Sequence, residues 1–205
     1  MRILLIDDHA LFRGGVKYLL RGLDDGVETD EAGDCGQALE KLGAGSYDLV
    51  LLDLKLPGVN GIDALASLRD AAPGTPVIVL SGEDDPEVVR ASIERGAMGF
   101  IPKSSTPEVM IQALRLVLTR GVYLPPTALD AVAARVSTAL PGLTPRQMDV
   151  MRCVIRGMPN KVIAREIDVS EATVKAHLTA VFQALGARNR TEAVYVAAKL
   201  GIRLG

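Results

Sequence analysis

Tryptophan is absent from this 205-residue chain, and Phe and Tyr number three and four. So few rings exclude the base-stacking platforms that hold single-stranded nucleic acids. Two cysteines, Cys35 and Cys153, stand alone without metal-ligand spacing, and two are too few for a disulfide framework. A reduced, cytoplasmic chain is therefore expected. The longest apolar runs, such as Ile3–Ile6 and Val77–Leu80, fall far short of the ~18 residues of a membrane span. Asp7 and Asp8 arrive too early for a signal peptide. No internal repeat or low-complexity segment is found. With 48% hydrophobic and 23% charged residues, the chain has an ordinary globular composition, and its length suits one large or two small domains.

The net charge of −2 conceals an asymmetry. Residues 1–120 carry 12 basic and 19 acidic side chains, net −7, whereas residues 121–205 carry 11 and 6, net +5. An acidic part beside a basic part suggests two modules with different partners.

The first 120 residues alternate short β-rich runs with longer helical patterns. Strands are expected at Ile3–Ile6, Val27–Ala32, Leu49–Leu52, Val77–Leu80 and Gly99–Ile101. Three of these are continuously apolar, as parallel strands covered on both faces are. Helices are expected near Leu11–Arg21, Gly36–Leu42, Gly61–Asp70, Pro86–Arg95 and Pro107–Thr119. The last two open alike, on Asp85-Pro86-Glu87 and Thr106-Pro107-Glu108: a cap, a proline at the first helical position and an acid in the first turn. Five strand–helix units predict an α/β, doubly wound five-stranded parallel sheet, with its ligand site at the carboxyl ends of the strands.

Residues 121–141 hold Gly121, Pro125, Pro126 and Pro141 around the Ala-rich stretch Ala128–Ala139, and are read as a linker with one short helix. Residues 142–205 show only helical patterns, predicting a separate all-α domain of four helices. Thr144-Pro145-Arg146-Gln147 forms a capping box opening a helix to about Arg156. A short helix fits Asn160–Glu166, and Ser170-Glu171 opens a longer one to Leu185. Thr191-Glu192 is read as opening the last helix, to about Leu200. Four short helices with a basic balance favour a helix-turn-helix module.

Asp7 and Asp8 follow the first strand and Asp53 the third, and in a doubly wound sheet those ends are neighbours. Converging carboxylates make a hard-oxygen site suited to Mg²⁺. One such Asp is usually only a turn former. Three, joined by Ser81 after the fourth strand and Lys103 after the fifth, point instead to chemistry at one sheet edge. The chemistry suggested is phosphoryl transfer to Asp53 as nucleophile. A small aspartyl-phosphate phosphatase, or a regulatory domain that no longer takes phosphate, remain alternatives at this point.

In these residues the chain resembles two-component response regulators of the NarL/FixJ type, a receiver followed by a LuxR-type helix-turn-helix. The resemblance implies a flavodoxin-like receiver, with Asp53 as phosphoacceptor. It implies a metal site of Asp8, Asp7, Asp53 and the Lys55 carbonyl, taking Mg²⁺ or Mn²⁺. Ser81 matches the switch hydroxyl, Phe100 the switch aromatic and Lys103 the lysine that meets the phosphoryl group. Leu56 stands where many receivers have Met. His9 is read as following the acidic pair into the first helix.

From Leu143 to Val194 the order and spacing match the LuxR-type module, with Gln147 in place of the usual Glu and Asp168-Val169 at a turn where Gly is common. The resemblance implies base-edge contacts from Lys175, Ala176 and Thr179 and phosphate contacts from Lys161, Thr173 and Arg188. His177 is read as a structural hydrogen bonder or phosphate neighbour. Val194, Ala197 and Ala198 are expected to form a dimer contact on the last helix. The implied partners are a sensor histidine kinase, double-stranded promoter DNA and a second copy of the chain on phosphorylation, with no membrane and no turnover catalysis.

Overall fold

The computed structural model describes all residues except 24, 25, 120, 127–142 and 201–205. The helix expected within Ala128–Ala139 lies outside the described residues. The first part alternates β1 (Arg2–Ile6), α1 (Ala10–Leu20), β2 (Glu28–Ala32), α2 (Cys35–Ala44) and β3 (Leu49–Asp53). A short antiparallel hairpin follows, β4 (Lys55–Leu56) with β5 (Val59–Asn60). Then come α3 (Gly61–Ala71), β6 (Val77–Ser81), α4 (Pro86–Glu94), β7 (Gly99–Pro102) and α5 (Pro107–Leu118). The main sheet is wholly parallel, in the order β2-β1-β3-β6-β7.

Every expected strand forms within a residue of its anticipated bounds. β3 and β6 are buried along their full length, as their unbroken apolar runs require. α5 buries Met110, Ala113, Leu114 and Val117, the expected i, i+3, i+4, i+7 stripe. The hairpin was not anticipated. It needs Gly58 at φ +77° and Gly61, where a Cβ would lie 2.2 Å from the Leu54 carbonyl oxygen.

The second part contains α6 (Pro145–Ile155), α7 (Asn160–Glu166), α8 (Glu171–Leu185) and α9 (Arg190–Lys199). Gln147 closes the capping box: its Oε1 accepts from Thr144 N at 2.8 Å and its own N–H donates to Thr144 Oγ1 at 3.3 Å. α8 buries Val174, Leu178, Val181 and Leu185, and ends on Gly186 at φ +65°. Asp168, in the turn before α8, has φ +53°. Among the described residues it is the only non-glycine with positive φ. The last helix starts earlier than expected. Asn189, not Thr191, is its cap, accepting from Glu192 N at 2.8 Å.

The first residues of the expected linker are packed against the sheet. Gly121–Leu124 runs beside β7, where Tyr123 O accepts from Phe100 N at 3.0 Å and Val122 and Leu124 are buried. Gly121 is obligatory in this path, because a Cβ there would come within 2.8 Å of the Gly157 carbonyl in the helical part. The two parts meet again at α9. Arg188 Nη2 donates to Glu94 O at 2.7 Å and Thr191 Oγ1 to Met98 O at 3.1 Å. One apolar cluster extends from Val89 and Ile93 of α4 to Tyr195 and Ala197 of α9.

Candidate functional site

Strand order places the acidic group. β1 and β3 are central neighbours with Ile6 opposite Leu52, so both chains leave the sheet side by side, into Asp7-Asp8 and from Asp53. β6 adds Ser81 next to them, and β7 leads through Pro102 into Lys103. Side chains from four loops therefore converge at one sheet edge, where strand ends place ligand sites in doubly wound folds.

Asp7 and Asp53 are 0% and 1% exposed, unusual burial for carboxylates. Lys103 compensates them: its Nζ lies 2.6 Å from Asp7 Oδ2 and 2.7 Å from Asp53 Oδ2. The contact to Asp7 is a charge contact only, since Asp7 Oδ2 makes no hydrogen bond. The same ammonium sits 4.4 Å above the centroid of Phe12, an attractive cation–π position. Asp53 Oδ1 accepts from Lys55 N at 3.1 Å, which turns the Lys55 backbone around the carboxylate. Ser81 is buried, and its Oγ accepts from Glu83 N at 3.1 Å. Phe100 is fully buried. Asp8 is half-exposed, and His9, expected merely to lead into α1, instead sets its Nδ1 2.7 Å from Asp8 Oδ1.

Two features beside the site have no obvious motif. Lys55 Nζ meets Glu83 Oε1 at 2.8 Å, joining the loops after β3 and β6. Arg13 and Lys17 on α1 both bind Glu31 at the end of β2, and their hydrogen bonds, Lys17's foremost, hold that carboxyl below its ordinary range.

The helical part presents a second candidate site. Lys175, Ala176 and Thr179 form an exposed face of α8, and Lys161 is exposed on α7. Thr173 is half-buried, its hydroxyl 2.8 Å from that of Ser170. His177 is half-buried on the same helix. Arg188 is engaged: besides Glu94 O it binds Glu192, whose carboxylate holds its guanidinium in the charged form.

Of the residues expected at a dimer contact, Val194 and Ala197 are 3% and 0% exposed and Ala198 is half-buried, so in this arrangement the apolar side of α9 is packed within the chain. Sequence reasoning also missed Arg190. It is buried, its Nη1 donating to Asn160 Oδ1 at 3.0 Å and its Nη2 to Met158 O. Burial lowers this guanidinium to about 10. It fixes the start of α7 to the start of α9, and no periodicity argument reveals that.

Among the described residues no helix is long and apolar enough to cross a membrane. Residues 3–115 match the response regulator receiver domain family, and residues 141–197 match the luxR family of bacterial regulatory proteins. The chain is 38% identical to the glycerol metabolism activator of Pseudomonas putida, covering 94% of this chain and 93% of that one. It is 36% identical to the nitrate/nitrite response regulator protein NarL of Escherichia coli, covering 93% and 92%. Among solved structures it is similar to the response regulator ChrA of a heme-sensing two-component system. That likeness has 31% identity and a TM-score of 0.52, covering 96% of this chain and 95% of that one.

Proposed function

The chain belongs to the two-component response regulators that join a receiver to a LuxR-family DNA-binding domain, and on that premise we propose that Asp53 is its phosphoacceptor. The observation that carries this is the Lys103 ammonium lying within 2.7 Å of Asp53 and 2.6 Å of Asp7, at the meeting of four strand ends.

An Asp53 carboxylate oxygen attacks phosphorus while the donor's bond to phosphorus breaks, giving an acyl phosphate. Lys103 stays with the phosphoryl oxygens and offsets their charge. Ser81 leaves Glu83 N and donates its hydroxyl proton to a phosphoryl oxygen. Phe100, buried on the adjoining strand, repacks with that shift.

The donor set fits a divalent cation. Asp7, Asp8 and Asp53 supply hard oxygens that lie within 4.8 Å of one another. Asp8, Asp7, Asp53 and the Lys55 carbonyl would hold Mg²⁺ or Mn²⁺. When bound, it neutralises charge between carboxylate and phosphoryl group. A sensor histidine kinase is the phosphodonor, in the cytoplasm. Two residues after Asp53 stands Lys55 rather than a second acid to activate water, which favours a regulator over a phosphatase.

The output is binding to double-stranded DNA through Lys175, Ala176 and Thr179 at base edges, with Lys161, Thr173 and Arg188 at phosphates. Arg188 reaches a phosphate only after leaving Glu94 O. Pairing of two copies through α9 likewise requires that helix to leave α4. Phosphorylation-linked separation of the two parts accounts for both.

The test is labelling by a small phosphodonor in Mg²⁺. Asp53 should carry a hydroxylamine-labile phosphate, and Asp53→Asn should carry none. Stoichiometric labelling of Asp53→Asn would overturn the assignment.

A further inference from the structure

α7 has seven residues, short of the ~12–15 below which isolated helices are marginal in water. Its cap position is Pro159, and no side chain caps its first turn. Ile163 and Ala164 are buried and seat the middle of the helix on the core. Its start is held from outside, by Arg190 of α9. Arg190 Nη1 donates to Asn160 Oδ1 at 3.0 Å, and Nη2 donates to Met158 O in the segment that enters the helix. One planar fork thus grips the chain on both sides of Pro159.

The grip is costly. Arg190 is 7% exposed, both of its acceptors are neutral oxygens, and its Nε is buried without a hydrogen bond. Burial lowers the guanidinium to about 10, so it still carries its charge at neutral pH. Neutral acceptors compensate a buried cation less than a carboxylate does. What the arrangement supplies is geometry. Arg188 and Thr191, on either side of Arg190, reach the other way, to the main-chain carbonyls of Glu94 and Met98. The start of α9 is therefore anchored in two directions, and α7 takes its position from it.

Lys161 follows Asn160 directly and is exposed. It lies in the turn that Arg190 holds, so fraying at Asn160 would carry Lys161 with it. Contacts to phosphate depend on such placement, because they fix a protein's register on the duplex. We propose that Arg190 is a positioning residue for DNA binding: itself buried, it holds the first turn of α7 so that Lys161 meets the phosphate backbone. The proposal rests on the reading of Lys161 as a phosphate contact, and adds the residue that sets it there.

The test is a gel-shift titration of the full phosphorylated chain on random-sequence DNA over a salt series. Parent, Lys161→Ala, Arg190→Lys and the double variant are compared. Arg190→Lys keeps the charge, but one ammonium cannot reproduce the two-pronged grip. Lys161→Ala should lower the salt slope by about one, so that a fourfold rise in salt costs it about 3.5-fold less affinity than it costs the parent. Arg190→Lys should lower the slope by the same amount, and the double variant no further. A merely structural role would lower the melting temperature and leave the slope at the parent value. A parent slope in Arg190→Lys, or a further full drop in the double variant, overturns the positioning role. Should Arg190→Lys fail to fold, Asn160→Ala removes the Nη1 bond and leaves the buried arginine on Met158 O. It should show the same lowered slope and the same lack of addition with Lys161→Ala, and a parent slope there overturns the role equally. If Lys161→Ala alone leaves the slope unchanged, the phosphate contact itself is wrong and the proposal falls with that reading.

Discussion

The hydroxyl of Thr191 donates to the main-chain carbonyl of Met98 at 3.1 Å, tying the first turn of α9 to the loop that enters β7. Together with Arg188 on Glu94 O, it holds α9 against the receiver, while the α8 face stays exposed. On the proposed function, control in this arrangement falls on α9 more than on the face proposed to read bases.

Thr191→Val keeps the shape and removes the bond, worth about 1 kcal/mol. The unphosphorylated variant should populate more extended shapes in small-angle scattering and self-associate at lower concentration in sedimentation. Profiles identical to the parent in both measurements would show that this contact does not restrain α9.

Lys103→Ala leaves two buried carboxylates without their shared cation. Breaking a buried ion pair by removing one partner costs ~3–5 kcal/mol. The variant should melt well below the parent and regain more stability on adding Mg²⁺ than the parent gains. Its phosphorylated form should fail to tighten DNA binding. Equal Mg²⁺ responses in calorimetry would count against the shared site.

Lys175→Ala should cost ~1–3 kcal/mol at a specific DNA site and little on random DNA. Lys161→Ala should weaken all sequences alike and lower the salt slope by about one. Gel-shift titrations over a salt series separate the two, and equal loss on both DNAs for Lys175→Ala would make it a phosphate contact.

Asp168→Gly should stabilise the chain. The left-handed conformation costs an L-residue ~1–2 kcal/mol, while glycine brings an entropic cost of ~0.5–1 kcal/mol. A net gain of up to about 1.5 kcal/mol is expected in urea unfolding, and Asp168→Val should instead destabilise. A loss in Asp168→Gly would show that the aspartate side chain supports the turn.

Glu31 is held below its ordinary pKa by Lys17 and Arg13. A depressed carboxyl contributes stability that is present above its unfolded value, near 4.5, and lost as pH falls through the lower folded value. Glu31→Gln should flatten the acid limb of the melting temperature below about pH 4.5. An unaltered acid limb would place the loss elsewhere.

The sheet was legible because its strands are apolar runs bounded by turn residues, and the acids fall where those runs stop. Asp7, Asp8, Asp53, Ser81 and Lys103 could be placed at one edge from strand order alone. The α9 start was misjudged because Thr191 and Asn189 are both good caps, and only packing against Met98 decides that Thr191 turns away. Lys55–Glu83, Arg190–Met158 and His9–Asp8 join atoms whose approach depends on loop paths. Val194 and Ala197 suited a free face by size and spacing, yet the amphipathic pattern cannot tell an outer partner from an inner one.

Tyr123 occupies the hydrogen-bonding position beside Phe100 on β7, one of the two outer strands. The connecting chain thereby covers one of the sheet's two edges, that of β7, while β2 forms the other. An edge that pairs with its own polypeptide offers no template to another molecule, which is how sheets avoid edge-to-edge aggregation. A receiver fragment ending at residue 119 would bare the Phe100 N–H and the apolar seat of Val122 and Leu124, while one ending at 126 keeps that edge closed.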